Sequence, residues 1–422
     1  MSFLNFLLKF KQFLSISAFG LLSNKLRSFL TMLGIIIGVA AVIIIMSVGA
    51  GAQSLIFAQV KSLGTNIIGI LPGKSEKNSP PSSAMGIVIT TLTYKDAMAL
   101  KNKKNIPNLV NVVAYSKGVA PISWKNQSVN TNVSGVSDGF MDVEGGELKE
   151  GRFLNKAEEK GLGRVVILGS DIKKELFGDS EALGKKIKIK RLSFEVIGVM
   201  KERGTVAFQD YDNQVFIPVS TMQKLILGVK HIGLIRAKVD KQENIDIAIS
   251  DIQRVLRERH NITDKSGDQD DFTVRSSAQA LEIITVITDS LNFFLAAMAM
   301  LSLIVGGIGI MNTMLISVNE RTREIGLRKA IGANNFNILN QFLIESVFLT
   351  LVGGIIGIIV GIIVSYLISF GANLLGYNWD FIISFYSIIA GILIAVLVGL
   401  IFGIYPAKKA AGLSPIEALR YE

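Results

Sequence analysis

Three places in this 422-residue chain carry residue types at spacings that chemistry could use. Gly69, Gly73, Lys74 and Ser75 approach a phosphate-binding loop, in which backbone amides and a lysine cradle phosphate; the spacing is one residue short, since Ile68 stands where the first glycine belongs. Asp264, Asp268, Asp270 and Asp271 offer the oxygen ligands of a calcium loop, yet Gln269 replaces the glycine its turn requires. A solvated acidic loop is the simpler reading. The third place is residues 319–333, where Glu320, Arg321, Arg323, Glu324, Leu327, Arg328 and Lys329 surround an apolar stripe of Ile325, Ala330 and Ile331, with Gly326 inside and Gly332 at the end. A short charged helix of this kind suits docking in a partner's groove, or lies solvated at an interface held by its arginines; these residues alone leave both open. No Ser/His/Asp set and no HExxH occurs. Cysteine is absent, and His231 and His260 are the only histidines, so disulfides and thiolate metal centres are excluded and no metal site is expected. The chain reads as a binding or force-transmitting protein, not as an enzyme by itself.

The elements that must position these residues are set by four apolar stretches without Asp, Glu, Lys, Arg or His: Phe29 to Ala50, Ser290 to Ile316, Ser346 to Phe370 and Phe381 to Ile404. Each is long enough to cross a bilayer, which takes about 20 residues. The expected layout is a cytoplasmic amphipathic helix over 1–28, spans over 29–52, 286–316, 346–370 and 381–404, an outer domain over 53–285, a loop over 317–345, a short outer loop over 371–380 and a tail over 405–422. Lys9, Lys11, Lys25 and Arg27 precede the first span, Arg321, Arg323, Arg328 and Lys329 lie between the second and third, and Lys408, Lys409 and Arg420 follow the fourth, whereas Gly371 to Asp380 has no Lys or Arg. Short basic loops stay in the cytoplasm. Both termini and the 317–345 loop are therefore expected inside, and the large domain outside, in a multi-pass protein of the inner (cytoplasmic) membrane. Tyr377 and Trp379 fit an outer aromatic belt. Phe3, Phe6, Leu7, Phe10, Phe13, Leu14 and Ser17 recur at helical spacing, for a helix on the membrane surface or against the protein's own spans. The net charge of +10 does not indicate nucleic acid, because the basic residues outside the large domain cluster beside the spans.

Ion-moving transporters usually carry ionisable residues within their helices; these spans carry none. They carry glycine instead: Gly34 and Gly38, Gly353, Gly357 and Gly361, and Gly399 and Gly403 stand at GxxxG spacing, which lets helix backbones approach closely, within the chain or across a dimer. Asn292 and Asn312 are explained by hydrogen bonds between helices.

The outer domain alternates strand and helix patterns. Leu71 to Thr90 is a Gly/Ser/Pro-rich loop, and Thr93 to Lys104 a helix with Thr93 and Asp96 as its capping pair. Val110 to Val119, Ser128 to Val136, Arg164 to Leu168, Gly184 to Ile189, Leu192 to Met200, Val215 to Pro218, Ile232 to Val239 and Phe272 to Arg275 read as strands, Ser170 to Phe177 and Ile245 to Arg259 as helices. The expected class is α+β, with helices covering one face of a mostly antiparallel sheet. The stretch from about Val136 to Asp212 reads as an inserted subdomain.

The most specific sequence is Glu320 to Ala333, ERTREIGLRKAIGA, followed by Gln341-Phe342-Leu343-Ile344-Glu345-Ser346. It resembles the signature of MacB/FtsX-type permeases of ABC transporters. The first span from Leu26 to Ala40 and the tail Tyr405 to Ala411 with Ser414 to Leu419 are similar to the family's ends; the resemblance covers the whole chain. It implies an α-helical membrane protein with four transmembrane helices and a large outer domain of porter-like and sabre-like subdomains. An ATP-hydrolysing ABC subunit, holding the ATP and Mg the chain does not itself bind, is implied at the 317–345 loop, along with a second copy of the permease, a periplasmic adaptor (membrane-fusion protein) and an outer-membrane channel. The founding exporter carries its ATPase on the same chain; no Walker motif stands here, so the ATPase is expected on a separate polypeptide. The implied function is transmission of ATP-driven motion for efflux. FtsX-like signalling and lipoprotein extraction are the alternatives.

Overall fold

The computed structural model describes residues 25–64, 66–75, 87–206 and 209–419. The amphipathic pattern of Phe3 to Ser17, residues 76–86 of the Gly/Ser/Pro-rich loop and Arg420 lie outside the described residues. The chain forms two compact units, one up to Leu55 and from Ile287 onward, the other Ile56–Val286.

Among the described residues four helices are long and apolar enough to cross a membrane: Lys25–Leu63, Ser277–Glu320, Asn335–Leu374 and Phe385–Ala411. The first three outrun their apolar stretches at both ends, because nothing in the flanking polar residues stops a helix; the fourth starts four residues later than its stretch, after the cap Ser384, and runs on to Ala411. Most of the expected 317–345 loop is accordingly helical. The second helix ends at Glu320, a short helix spans Thr322–Ala330, and the third helix starts after the cap Asn334, whose side chain accepts the Asn337 amide at 2.8 Å. Ile35, Val39, Ile43, Leu303, Ile310, Ile358 and Ala395 form the bundle core. Hydrocarbon favours pairing of polar groups, and two such pairs join helices here: Thr31 with Thr313 at 2.8 Å, and the Ser346 hydroxyl donating to the Gly399 carbonyl at 2.9 Å. Trp379 of the expected aromatic belt is half-buried. It packs on Gly51 of the first helix, and the Asn373 side chain clasps its backbone N–H and carbonyl at 2.9 and 3.0 Å. Tyr377 is exposed.

The second unit is built on one mixed sheet. Its strands are β1 (Ile67–Pro72), β2 (Leu109–Trp124), β3 (Gln127–Val136), β4 (Leu148–Gly151), β5 (Val165–Leu168), β6 (Lys186–Ile189), β7 (Leu192–Met200), β8 (Thr205–Val206), β9 (Gln209–Asp210), β10 (Gln214–Pro218), β11 (Leu234–Val239) and β12 (Phe272–Ser276). The order is β12-β1-β11-β2-β3-β10-β5-β7-β4, with β6 bridging β2 and β7 and β8–β9 a separate hairpin. Pairing is antiparallel except β3–β10 and β5–β7. The 16-residue β2 is long enough to serve both halves, so the 136–212 stretch extends the common sheet and is not a separate one. It does bring its own core: Val166, Leu168, Val196, Val215 and Ile217 under helix Ser170–Phe177. Helices Tyr94–Leu100 and Ile245–Arg259 cover the other half through Leu100, Ala248, Ile252 and Leu256. Strand alternation sends Val113 and Tyr115 of β2 the opposite way from Val112 and Ala114, to Phe140, Ile167 and Phe216. The sheet is therefore covered on both faces at its centre, not on one.

Candidate functional site: the helix between the second and third spans

The helix Thr322–Ala330 is fixed to its own bundle on one side. The Thr322 hydroxyl donates to the Asn319 carbonyl at 2.9 Å. Ile325 is 1% exposed. Arg321 pairs with Glu345 at 3.2 Å, and Arg328 donates to Gln341 at 2.8 Å while pairing with Glu324 one turn back. Lys329 donates to the carbonyls of Ala411 and Leu413 at 2.8 and 2.6 Å, satisfying groups left open at the end of the fourth helix. Gly326 faces the terminal helix Pro415–Leu419, where an added Cβ would stand 2.6 Å from the Ala418 methyl. The helix closes in a Schellman arrangement: Gly332 at φ +107 donates to Lys329 and Ala333 to Arg328.

The opposite side is open. Leu327 is 56% and Ile331 80% exposed, with Arg323, Glu324 and Ala330 beside them and Glu320 exposed on the preceding helix. The expected stripe of Ile325, Ala330 and Ile331 is thus divided. Steps of five and six residues at 100° each carry Ala330 and Ile331 away from the face Ile325 occupies. Leu327, two residues on, joins the exposed side; Phe336, Ile416 and Leu419 of neighbouring segments are exposed as well.

The spaced glycines lie against the chain's own helices. A Cβ on Gly34 would collide with the backbone of Gly306, and one on Gly38 with Leu303 at 2.6 Å. Gly353, Gly357 and Gly361 meet Ile35, the Ile36 carbonyl and Ile43 of the first helix at 3.5, 2.8 and 2.8 Å, while Gly399 and Gly403 meet Thr350 and Ser346 of the third. These glycine faces are spent within one chain.

The two weaker chemical candidates dissolve. Gly69 lies inside β1, opposite Arg236 of β11 and Arg275 of β12, so its backbone belongs to a ladder and not to a phosphate cradle. The acidic residues do not converge: Asp268 pairs with Lys74 at 3.2 Å, Asp270 takes a two-pronged contact from Arg257 at 2.7 Å, Asp271 meets His260 at 2.7 Å, and Asp264 caps its own loop through Ser266. Among the described residues no group of three or more His, Asp or Glu could hold a metal ion.

One cluster escaped sequence reading. The fully buried Glu144 carboxylate accepts from Arg236 at 2.6 Å, from Tyr211 at 2.8 Å and from Tyr115, and Arg203 lies over the Tyr211 ring at 4.5 Å while donating to the Glu144 carbonyl. Burial alone would raise the Glu144 pKa; the Arg236 charge and the three hydrogen bonds outweigh it and hold the carboxyl below the usual range. Nothing in the spacing of residues 144 and 236 announces the pair.

A family model for the MacB-like periplasmic core domain matches residues 28–255, and one for the FtsX-like permease C-terminal region matches residues 296–415. The macrolide export ATP-binding/permease protein MacB of Chlorobaculum tepidum is 42% identical over 401 residues, covering 95% of this chain and 60% of that protein. The MacB of Neisseria meningitidis serogroup A is 34% identical over 97% of this chain and 61% of its own length. The chain thus spans about 60% of the length of these curated relatives. The crystal structure of the periplasmic region of MacB from Actinobacillus actinomycetemcomitans aligns with 54% of this chain and 97% of that one, at 25% identity and a TM-score of 0.45.

Proposed function

The chain belongs to the MacB-like, FtsX-type permease family of ABC transporters, and on that premise we propose that it couples an ATP-hydrolysing domain to motion of its Ile56–Val286 unit. The observation that carries this reading is the two-sided helix Thr322–Ala330. Arg321 and Arg328 tie it to the third helix and Lys329 to the end of the fourth, with Ile325 buried between, while Leu327 and Ile331 are bare on the far side. Force applied to such a helix passes into the bundle instead of being lost in a flexible loop. ATP and Mg are held by the docking ATPase, the positive-inside rule places this end in the cytoplasm, and two copies work as a pair. Export through an adaptor, and through an outer-membrane channel where an outer membrane exists, is the activity that the macrolide-exporting relatives suggest.

The test separates docking from folding. Leu327→Glu combined with Ile331→Glu adds charge where both side chains already face solvent, so thermal stability is expected to change by less than about 0.5 kcal/mol. ATPase recovered with the purified permease is expected to fall at least about tenfold, since removing a central apolar anchor costs about 1–2 kcal/mol or more per residue. Undiminished recovery and ATPase stimulation would return the helix to a solvated role.

Extraction of a lipid-anchored substrate has one observation in its favour. A groove of about 520 Å³ runs between the first and second helices, apolar along Val42, Ile45, Met46 and Phe293 and polar at Gln53, Asp289 and Asn292. A photoreactive side chain at Met46 that links a lipid-anchored protein, and no soluble substrate, would select that reading.

A further inference from the structure

The common sheet ends differently at its two edges. At one edge β4 is four residues long, carries Lys149 and Glu150, and shifts register between Leu148 and Glu150; shortness, charge and a bulge are devices that keep an edge from pairing. At the other edge β12 keeps an unbroken antiparallel register with β1 from Phe272 to Ser276. We infer that the free edge of β12 takes an extended segment of a partner protein as an added strand, with apolar and acidic side chains alternating along it. The inference goes beyond the coupling reading and does not depend on it.

The ladder to β1 shows which backbone groups are left over. Gly73 donates to the Asp271 carbonyl at 2.8 Å. Successive residues of an antiparallel strand face opposite neighbours, so Thr273 and Arg275 bond to β1, and Phe272, Val274 and Ser276 turn their N–H and C=O groups outward. The other side of β1 agrees with this alternation, since Val239 donates to the Asn66 carbonyl at 2.9 Å. The Ser276 N–H is taken by the Gln279 side chain at 3.1 Å. The N–H and C=O groups of Phe272 and Val274 bond to no described residue. Both residues are buried, and backbone groups in such surroundings are nearly always paired.

β12 floors a groove of about 750 Å³. One wall is Ile249, Gln253 and Arg257, on successive turns of helix Ile245–Arg259; the other is Gln279, Glu282 and Ile283 at the start of Ser277–Glu320. The outward groups decide the occupant. They recur at every second residue, about 6.6–6.8 Å apart, and another extended backbone presents its own donors and acceptors at the same spacing. The two faces of β12 then choose the side chains. Phe272 and Val274 belong to the same apolar cluster as Ile249, so alternate residues of the added strand meet hydrocarbon. Arg275 points to the opposite face, where it donates to Ser75 at 2.7 Å. The lining sets four cations, Lys74, Arg257, Lys265 and Arg275, against three carboxylates, Asp268, Asp270 and Glu282, which favours acidic over basic residues at the intervening positions.

The probe is a labelled eight-residue peptide of alternating valine and glutamate, made in three forms: unmodified, N-methylated at every valine amide, and N-methylated at every glutamate amide. Binding to the full-length chain in nanodiscs of zwitterionic lipid is read by fluorescence anisotropy. A strand turns alternate amides to alternate sides. One methylated form is therefore expected to bind at least about tenfold more weakly than the unmodified peptide, the worth of two or more lost hydrogen bonds, and the other within about twofold of it. Which form fails reports whether the strand adds parallel or antiparallel to β12. Val274→Pro removes an outward N–H and leaves the ladder to β1 in place, so it is expected to weaken the unmodified peptide at least about fivefold in a chain that still melts cooperatively. Absence of binding by the unmodified peptide, equal binding by the two methylated forms, or binding indifferent to Val274→Pro overturns the inference. The measurement needs no ATPase, so its failure leaves the coupling reading standing, and a failure of ATPase docking leaves this edge untouched.

Discussion

Gly34→Leu is expected to unfold or disassemble the membrane bundle at temperatures where the unmodified chain survives. The contact is reciprocal: a Cβ on Gly34 would meet the Gly306 backbone, and one on Gly306 would lie 2.7 Å from the Gly34 carbonyl carbon and 3.0 Å from the Ile35 nitrogen. Backbone atoms have no rotamer to change, so the first and second helices must part. Overpacking against movable side chains costs about 1–3 kcal/mol. Here separation would also strip the Thr31–Thr313 hydrogen bond and the packing of Ile35 and Leu303, which puts the expected loss at the top of that range or above it. Gly371→Leu is the control, since nothing lies within 4 Å of its Cβ position. Melting curves in detergent check the pair: a large drop for Gly34→Leu beside none for Gly371→Leu is the expected result. Equal curves would mean that the helices do not touch at Gly34.

That contact also shows where sequence reading stops. GxxxG spacing at Gly34 and Gly38 announces a close approach, but the partner is Gly306, 272 residues later in the chain and with no glycine four residues to either side. The spans themselves were plain, because hydrocarbon demands about 20 apolar residues in a row whatever the tertiary packing. Helix Ile245–Arg259 was read at its observed bounds for a related reason: its buried Ile245, Ala248, Ile249, Ile252, Val255 and Leu256 keep a clean 3.6 period. The Thr93 cap was equally local, and its N–H donates to Asp96 at 2.8 Å.

Strand β1 was missed. It is only six residues, contains Gly69 and ends in Pro72, and is made a strand by β11 and β12, whose partner residues lie about 170 and 200 positions away. The interspan helix was half legible. Its charges and its terminal glycine were evident, but which isoleucine faces the bundle depends on Glu345, Gln341 and Ala418 standing behind it.

Glu144→Gln is expected to cost the Ile56–Val286 unit about 3–5 kcal/mol at neutral pH, because it leaves the buried Arg236 guanidinium without its counter-charge. For a unit of this size that corresponds to a fall in melting temperature of about 6–20 °C. The loss should depend on pH in a defined direction. The folded-state pKa of Glu144 is depressed, so the carboxylate's contribution is complete above the ordinary glutamate value of 4.5 and disappears as pH falls through the lower folded value. Wild type and variant should therefore converge on acidification below pH 4.5 and diverge above it. Pairing Glu144→Gln with Arg236→Met removes both charges and should recover most of the loss, since an apolar replacement of a buried ion pair is often close to neutral. The cluster joins residue 144 to β2 through Tyr115, to β11 through Arg236 and to the β9–β10 segment through Tyr211. Its loss should accordingly loosen the centre of the sheet, where the long β2 holds the two halves together, before either edge. Hydrogen exchange that rises first at β2 and β11 in the Glu144→Gln chain is the expected pattern; protection unchanged there, with melting unaltered at pH 7, would mean that the pair carries no net stability.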